Sequence, residues 1–295
     1  MAIALISITL STSWILISCD ESNETINYEQ KQSFDNLIKE LDDMNEEFML
    51  SENITNKTTR GWFSKFFKAV CADVAAIWYE INHNVDIKGP KVYTTKVSSA
   101  SCAAYYELVP DSYQYYNYTY QQKEMFDSLK MSYAYIPENN NIAIAHNAVI
   151  LEMIKDNLWK PANTVELVAN NINTSKKIGV KVSDEPIQEI ANSVDELIFN
   201  YDSNPPFRFE TKPVPTNISD IPKFLIESYL YNIQNLTTPD QVSRYTSLYI
   251  TSLYNPHNQI YQLPEEQKQK VIEVIRLANS SFDLWYHMSI IDGAY

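Results

Sequence analysis

Glycine is scarce in this chain: only 4 of its 295 residues are glycine, where about 7% is usual. Gly61, Gly89, Gly179 and Gly293 are too far apart to form a G-x-G-x-x-G or P-loop motif. Sheets need glycine for tight turns, so its scarcity favours helices joined by loops of Asn, Pro and Ser. It also excludes these phosphate-binding loops, and we expect no cofactor.

Basic residues are also in short supply. The chain has 23 Lys and Arg against 37 Asp and Glu, which gives a formal net charge of −14. Many of the acids lie between Asp20 and Glu52. An acidic chain without a basic stripe binds nucleic acid poorly, so we expect no nucleic-acid partner.

Metal-binding residue patterns are incomplete. Glu80-x-x-His83 has the spacing of di-iron helical bundles, but the chain has no second Glu-x-x-His and no Cys-x-x-Cys. We therefore predict no metal site. Besides Cys19, the chain contains Cys71 and Cys102, and either a disulfide or two buried free thiols fits the pattern.

Residues 1–18 are uncharged and mostly apolar. They are short for a membrane span and predict a lipoprotein-type signal peptide. The sequence Leu16-Ile17-Ser18-Cys19 resembles a bacterial lipobox, which makes Cys19 the predicted lipidation site. We expect an exported protein, periplasmic or on the cell surface, anchored to the membrane by its lipid. The alternative is a buried or anchoring helix with an ordinary cysteine.

The stretch Gly61–His83 has the strongest helical pattern. Phe63, Phe67, Val70, Val74, Ile77 and Ile81 recur at steps of three and four. Further aromatic residues leave little of this helix to face water. It is therefore either a core helix wrapped by others or, over residues 61–78, a membrane-active segment beside basic residues.

The remaining sequence predicts an all-α fold, an irregular helical bundle with a long Tyr-rich loop. Residues 19–56 are assigned to an acidic tether and an amphipathic helix, and residues 57–295 to a single helical domain with a sub-boundary at 203–219. Residues 84–120 lack a helical period and predict the loop, with short strands at 91–97 as an option. Further helices are predicted at 121–134, 142–155, 164–171, 187–199, 221–235, 239–254 and 264–285.

Two groups of side chains are candidates for function. His146 and Asn147 near a helix start are candidates for a general base and the residue that orients it, against a structural role in which His146 bonds a backbone group or carboxylate and Asn147 caps the helix. Tyr113, Tyr115, Tyr116 and Tyr118 form a candidate sugar- or peptide-binding surface, against a loop packed by its own rings.

Three stretches carry a resemblance to a known group of proteins. They are Trp62 with Ala72-Asp73-Val74-Ala75-Ala76, the run Ile142–Ile150 around His146-Asn147, and Leu263–Lys268 with Ala278–Trp285. In this order and spacing they resemble a loose family of exported Bacteroidetes proteins, often lipoproteins. The resemblance implies export and a helical fold, and no particular chemistry.

From these patterns we expect a lipid-anchored cell-envelope protein that binds a protein or glycan partner. Two alternatives are a hydrolase-like enzyme centred on His146 and a membrane-active or toxin-like protein that uses residues 61–78.

Overall fold

The computed structural model describes residues 28–54, 60–83, 94–106, 114–136, 141–203, 220–255 and 263–293. These residues form ten α-helices and one 3₁₀ turn, Tyr115–Asn117, and no strand occurs among them. The prediction of an all-α fold is confirmed. The helices are α1 (Tyr28–Ser51), α2 (Arg60–His83), α3 (Thr94–Tyr106), α4 (Tyr120–Ser132), α5 (Ile142–Lys155), α6 (Thr164–Lys177), α7 (Ile187–Ser203), α8 (Ile221–Ile233), α9 (Pro239–Leu253) and α10 (Glu265–Ile291).

Helix α2 is a core helix. It packs against α3 and α10 and also contacts α7. Phe67, Val70, Val74 and Ile77 are buried on it, as the periodicity predicts. Phe66 is buried too and meets Phe282 of α10 edge to face, with ring centroids 5.3 Å apart. This wrapping by other helices is what an apolar helix without an exposed face requires.

Helix α3 corrects the sequence prediction, which placed a long loop, with optional strands, over these residues. Its residues from Thr94 to Tyr105 are buried, apart from the half-buried Ala103, and it contacts α2, α5, α6 and α7. Most of its side chains are small: Ser, Thr, Ala and Cys make up nine of the thirteen residues. A helix that is buried on every side has no apolar stripe, so periodicity could not reveal it.

Helices α4, α5, α6 and α9 begin with side-chain caps. Asn141 accepts hydrogen bonds from the amides of Ala143 and Ile144 at the start of α5. Asn163 and Thr238 accept from the amides of Glu166 and Gln241 at the starts of α6 and α9. Such caps satisfy amides that have no partner within the helix.

The amphipathic helix expected within residues 19–56 is present as α1. Its Leu37, Leu41 and Phe48 are buried, and the Phe48 ring lies 5.2 Å from that of Tyr245 on α9. None of the described helices is long and apolar enough to cross a membrane. The predicted signal peptide, Cys19, Tyr113 and most of the 203–219 sub-boundary lie outside the described residues.

Asp292 joins the end of α10 to two distant tyrosines. Its Oδ2 accepts a hydrogen bond of 2.9 Å from Tyr105 of α3, and its Oδ1 accepts one of 2.5 Å from Tyr118. Burial raises the pKa of the Asp292 carboxyl to about 6, although the two tyrosine hydrogen bonds act in the opposite direction. Burial likewise raises the pKa of Tyr118, with the Asp292 charge as a second cause.

We expect the substitution Asp292→Asn to change how stability depends on pH. The unfolded carboxyl has a pKa of about 3.9, below the folded value, so the fold disfavours the charged form. Asp292 therefore contributes most stability at low pH and loses that contribution as the pH rises towards 6. Relative to Asp292→Asn, the wild type should lose roughly 2–3 kcal/mol of unfolding free energy between about pH 3.5 and about pH 7.

Urea denaturation of both proteins across this range measures the difference. The Glu189→Gln substitution is the control, because it makes the same change from carboxyl to amide at an exposed position. A difference in unfolding free energy between the wild type and Asp292→Asn that stays constant with pH would contradict the expectation.

Candidate functional site

The centre of the bundle contains a fully buried carboxylate and a fully buried histidine. Asp73 of α2 and His146 of α5 both have no exposed surface, and His146 Nε2 lies 3.0 Å from Asp73 Oδ1. The other ring nitrogen, Nδ1, lies 2.8 Å from Asn147 Oδ1. His146 thus has a polar partner on each side of its ring.

The hydrogen bonds around the pair identify the donors. Asn147 Nδ2 lies 2.9 Å from the backbone oxygen of Ser280, which can only accept. This contact fixes the amide orientation, so Asn147 Oδ1 faces His146 as an acceptor and Nδ1 must carry a hydrogen. Asp73 Oδ2 accepts from the hydroxyls of Ser101 and Ser281.

Asp73 thus has three polar contacts, two from serine hydroxyls and the third with Nε2 of His146. Together, these contacts describe a sealed histidine–carboxyl pair in which Nδ1 donates to Asn147 and Nε2 shares a hydrogen with Asp73 Oδ1. Such a pair is costly to bury unless its members are fully hydrogen-bonded, and here each member has more than one polar contact.

The network continues through α3 and α10. Ser101 accepts a 2.8 Å hydrogen bond from Trp285 Nε1 and donates its own hydrogen to Asp73. The Trp285 ring also stacks on Tyr105, with centroids 4.1 Å apart. Four helices, α2, α3, α5 and α10, thus meet through one set of buried polar side chains, which defines their relative positions.

This geometry does not suit a general base. Both His146 nitrogens are occupied by Asp73 and Asn147, and within the described part of the chain neither nitrogen is hydrogen-bonded to a serine or cysteine side chain. A nucleophile–base pair needs such a contact, and a reacting group needs access to it. Nor does Asn147 cap α5, since Asn141 does so; Asn147 instead reaches across to Ser280 of α10.

The tyrosines of the predicted binding surface differ in how far they are buried. Tyr118 is buried against Asp292, and Tyr115 is half-buried with its ring 5.0 Å from that of Phe126. Tyr116 remains 61% exposed. The four residues therefore do not form one open surface: two of them pack the segment onto the bundle, and Tyr113 lies outside the described part.

The two other cysteines are buried thiols. Cys71 and Cys102 form no disulfide with each other, so the structure has the second of the two arrangements that the sequence left open. Burial raises the pKa of the Cys102 thiol, and the Asp73 charge adds to this shift. In the described part of the chain, no cluster of three or more His, Cys, Asp or Glu residues is suited to a metal ion.

Sequence reasoning missed most of this polar network. It singled out His146 and Asn147. Asp73, Ser280, Ser281 and Trp285 appeared only within the resemblance, and Ser101 was not a candidate. Their positions are tens to hundreds of residues apart in the chain, so no local spacing could group them. The usable signal was Asp73 itself, a charged residue in the middle of an apolar helical face.

Comparisons of the chain with protein-family models, with curated proteins and with solved structures found no match.

We expect His146→Leu to destabilise the protein by about 3–5 kcal/mol, because removing one member of a buried pair leaves the other charge uncompensated. The double variant Asp73→Asn/His146→Leu should be more stable than His146→Leu alone, because it no longer contains the buried carboxylate of Asp73. Urea denaturation of the single and double variants measures both effects.

The matched control is His287→Leu. That histidine is partly exposed and pairs with Asp283 within one helix at 3.3 Å, so its loss should cost less than about 1 kcal/mol. If the changes in unfolding free energy caused by Asp73→Asn and His146→Leu simply add in the double variant, the two residues do not act as a charged pair.

Proposed function

We propose that the protein is an exported, lipid-anchored cell-envelope protein that acts by binding a protein or glycan partner and not by catalysis. The observation that supports binding over catalysis is the environment of His146: each of its ring nitrogens has a polar partner, and the side chain has no exposed surface. The histidine that the sequence offered as a candidate base serves to join helices.

The sequence at the start of the chain supports export and lipid anchoring. An uncharged apolar stretch of 18 residues is followed by Cys19 and then by Asp20-Glu21-Ser22-Asn23-Glu24. A short apolar segment, a small residue before the cysteine and a polar spacer are features of a lipoprotein export signal. A single lipid chain gives only weak anchoring, so stable attachment would need more than one acyl chain on this cysteine.

The burial of α2 supports a binding role over a membrane-active one. Phe66 and Phe67 would have to be exposed for residues 61–78 to act on a bilayer, but both rings are buried in the bundle. Releasing them would require the core to open.

Exposed rings and apolar side chains are concentrated in residues 116–136. Tyr116 and Tyr120 are 61% and 78% exposed, and Met131 and Ile136 also face solvent. Exposed tyrosine offers apolar area with a polar tip, a composition typical of protein and glycan contacts. We therefore move the predicted binding surface from Tyr113–Tyr118 to this segment.

Cys19→Ala should abolish lipid attachment and release the protein from membranes. Labelling of the producing cells with an alkyne fatty acid, followed by membrane fractionation, measures both. Cys102→Ala is the control, since a buried thiol should leave labelling unchanged. Continued incorporation of lipid into Cys19→Ala would show that the anchor is not on this residue.

A photo-crosslinking amino acid at position 120 should capture one discrete partner in intact cells, identified by mass spectrometry. The same amino acid at position 248 serves as the control, because Leu248 is also exposed but lies on α9. Substituting Tyr116→Ser should reduce the adduct at position 120. Equal capture from both positions would contradict a binding surface at residues 116–136.

A further inference from the structure

A second buried charge pair lies between α2 and α3. Lys96 is 3% exposed and Glu80 is 1% exposed, and Lys96 Nζ lies 2.5 Å from Glu80 Oε1. The two residues stand at the last turn of α2 and the first turn of α3. Their contact therefore bridges the two ends of the connection between these helices.

This pair lacks the support that the Asp73–His146 pair has. Neither oxygen of Glu80 has a hydrogen-bond partner in the described structure, although Oε1 is within contact distance of Nζ. The ammonium therefore approaches the carboxyl group closely without the geometry of a hydrogen bond. A buried ion pair without additional hydrogen bonds is unfavourable, so a reaction that removes both charges is favoured by this environment.

A third ionisable group stands beside the pair. Glu185 Oε2 lies 3.8 Å from Lys96 Nζ, and the Glu185 side chain is 35% exposed. Its position is held locally, because Ser183 Oγ donates to its carboxylate and accepts from its backbone amide. Glu185 thus places a partly exposed carboxylate beside the buried Lys96–Glu80 pair, where it can transfer protons between the pair and solvent.

We propose that Lys96 and Glu80 condense into an intramolecular isopeptide bond. A lysine nitrogen that has passed a proton to a neighbouring base is a nucleophile, and Lys96 Nζ already lies 2.5 Å from Oε1 of the carboxyl group that it would attack. Holding two reactants in contact removes most of the entropic barrier to their reaction.

The atoms of this step balance without an oxidant or any other reactant. Lys96 Nζ forms a bond to Glu80 Cδ, and one carbon–oxygen bond of the carboxyl group breaks. Two of the three ammonium hydrogens leave with that oxygen as one water molecule, and Glu185 accepts a proton from nitrogen and returns it to the departing oxygen. The product is a neutral amide, which removes two buried charges.

Such a bond would tie the end of α2 to the start of α3 covalently. A cross-link stabilises a protein mainly by restricting its unfolded state. Since Cys71 and Cys102 form no disulfide, the isopeptide bond would supply a covalent constraint that the thiols do not. This inference concerns the folded domain and does not depend on the lipid anchor.

The decisive measurement is the mass of the purified full-length protein under denaturing conditions, compared with that of Lys96→Arg. Arginine keeps the positive charge but does not condense with a carboxyl group. After correction for the substitution, the wild type should be lighter by one water molecule. Proteolytic mapping should recover one peptide in which the chains around Glu80 and Lys96 are joined.

Two further variants separate cross-linking from folding. Lys181→Arg makes the same change at an exposed lysine and should keep the mass deficit. Glu185→Gln should give a mixture of full-mass and lighter protein, whereas the neighbouring Asp184→Asn should stay fully cross-linked. A wild type of full mass with a cooperative unfolding transition would overturn the proposal, as would a mass deficit that persists in Lys96→Arg.

Discussion

The carboxylate of Asp73 is the constraint on which the centre of this fold depends. A charge buried in the middle of an apolar helix must be compensated, because an isolated buried carboxylate is far too costly to keep. The compensation comes from His146 on α5, Ser101 on α3 and Ser281 on α10. Each donor lies on a different helix, so one charge specifies how three helices sit around α2.

The same requirement leaves both ring nitrogens of His146 occupied by neighbouring side chains. A catalytic histidine keeps one nitrogen available for a nucleophile or a substrate, while both nitrogens of His146 are occupied within the core. The polar chemistry of this centre holds the bundle together. On the outside, exposed tyrosine and methionine side chains follow one another through residues 116–136.

The accuracy of the sequence predictions follows the burial pattern of each helix. Helices α9 and α10 have one apolar face, and their positions were predicted closely, although α10 continues to Ile291. Helix α3 is buried on all sides and is built mostly of small residues, so it has no period and was predicted as a loop. At the candidate site, His146 and Asn147 stood out by residue type, but their partners on α2, α3 and α10 did not.

The sequence by itself determined the helical class, since so few glycines and such regular apolar spacing leave few other choices. It also determined that α2 must be covered, because a helix with apolar residues around it cannot face water. Only the tertiary structure decided which polar residues meet. Asp73, His146 and Ser281 are far apart in the chain, and contacts between distant residues depend on how whole helices pack rather than on any local pattern.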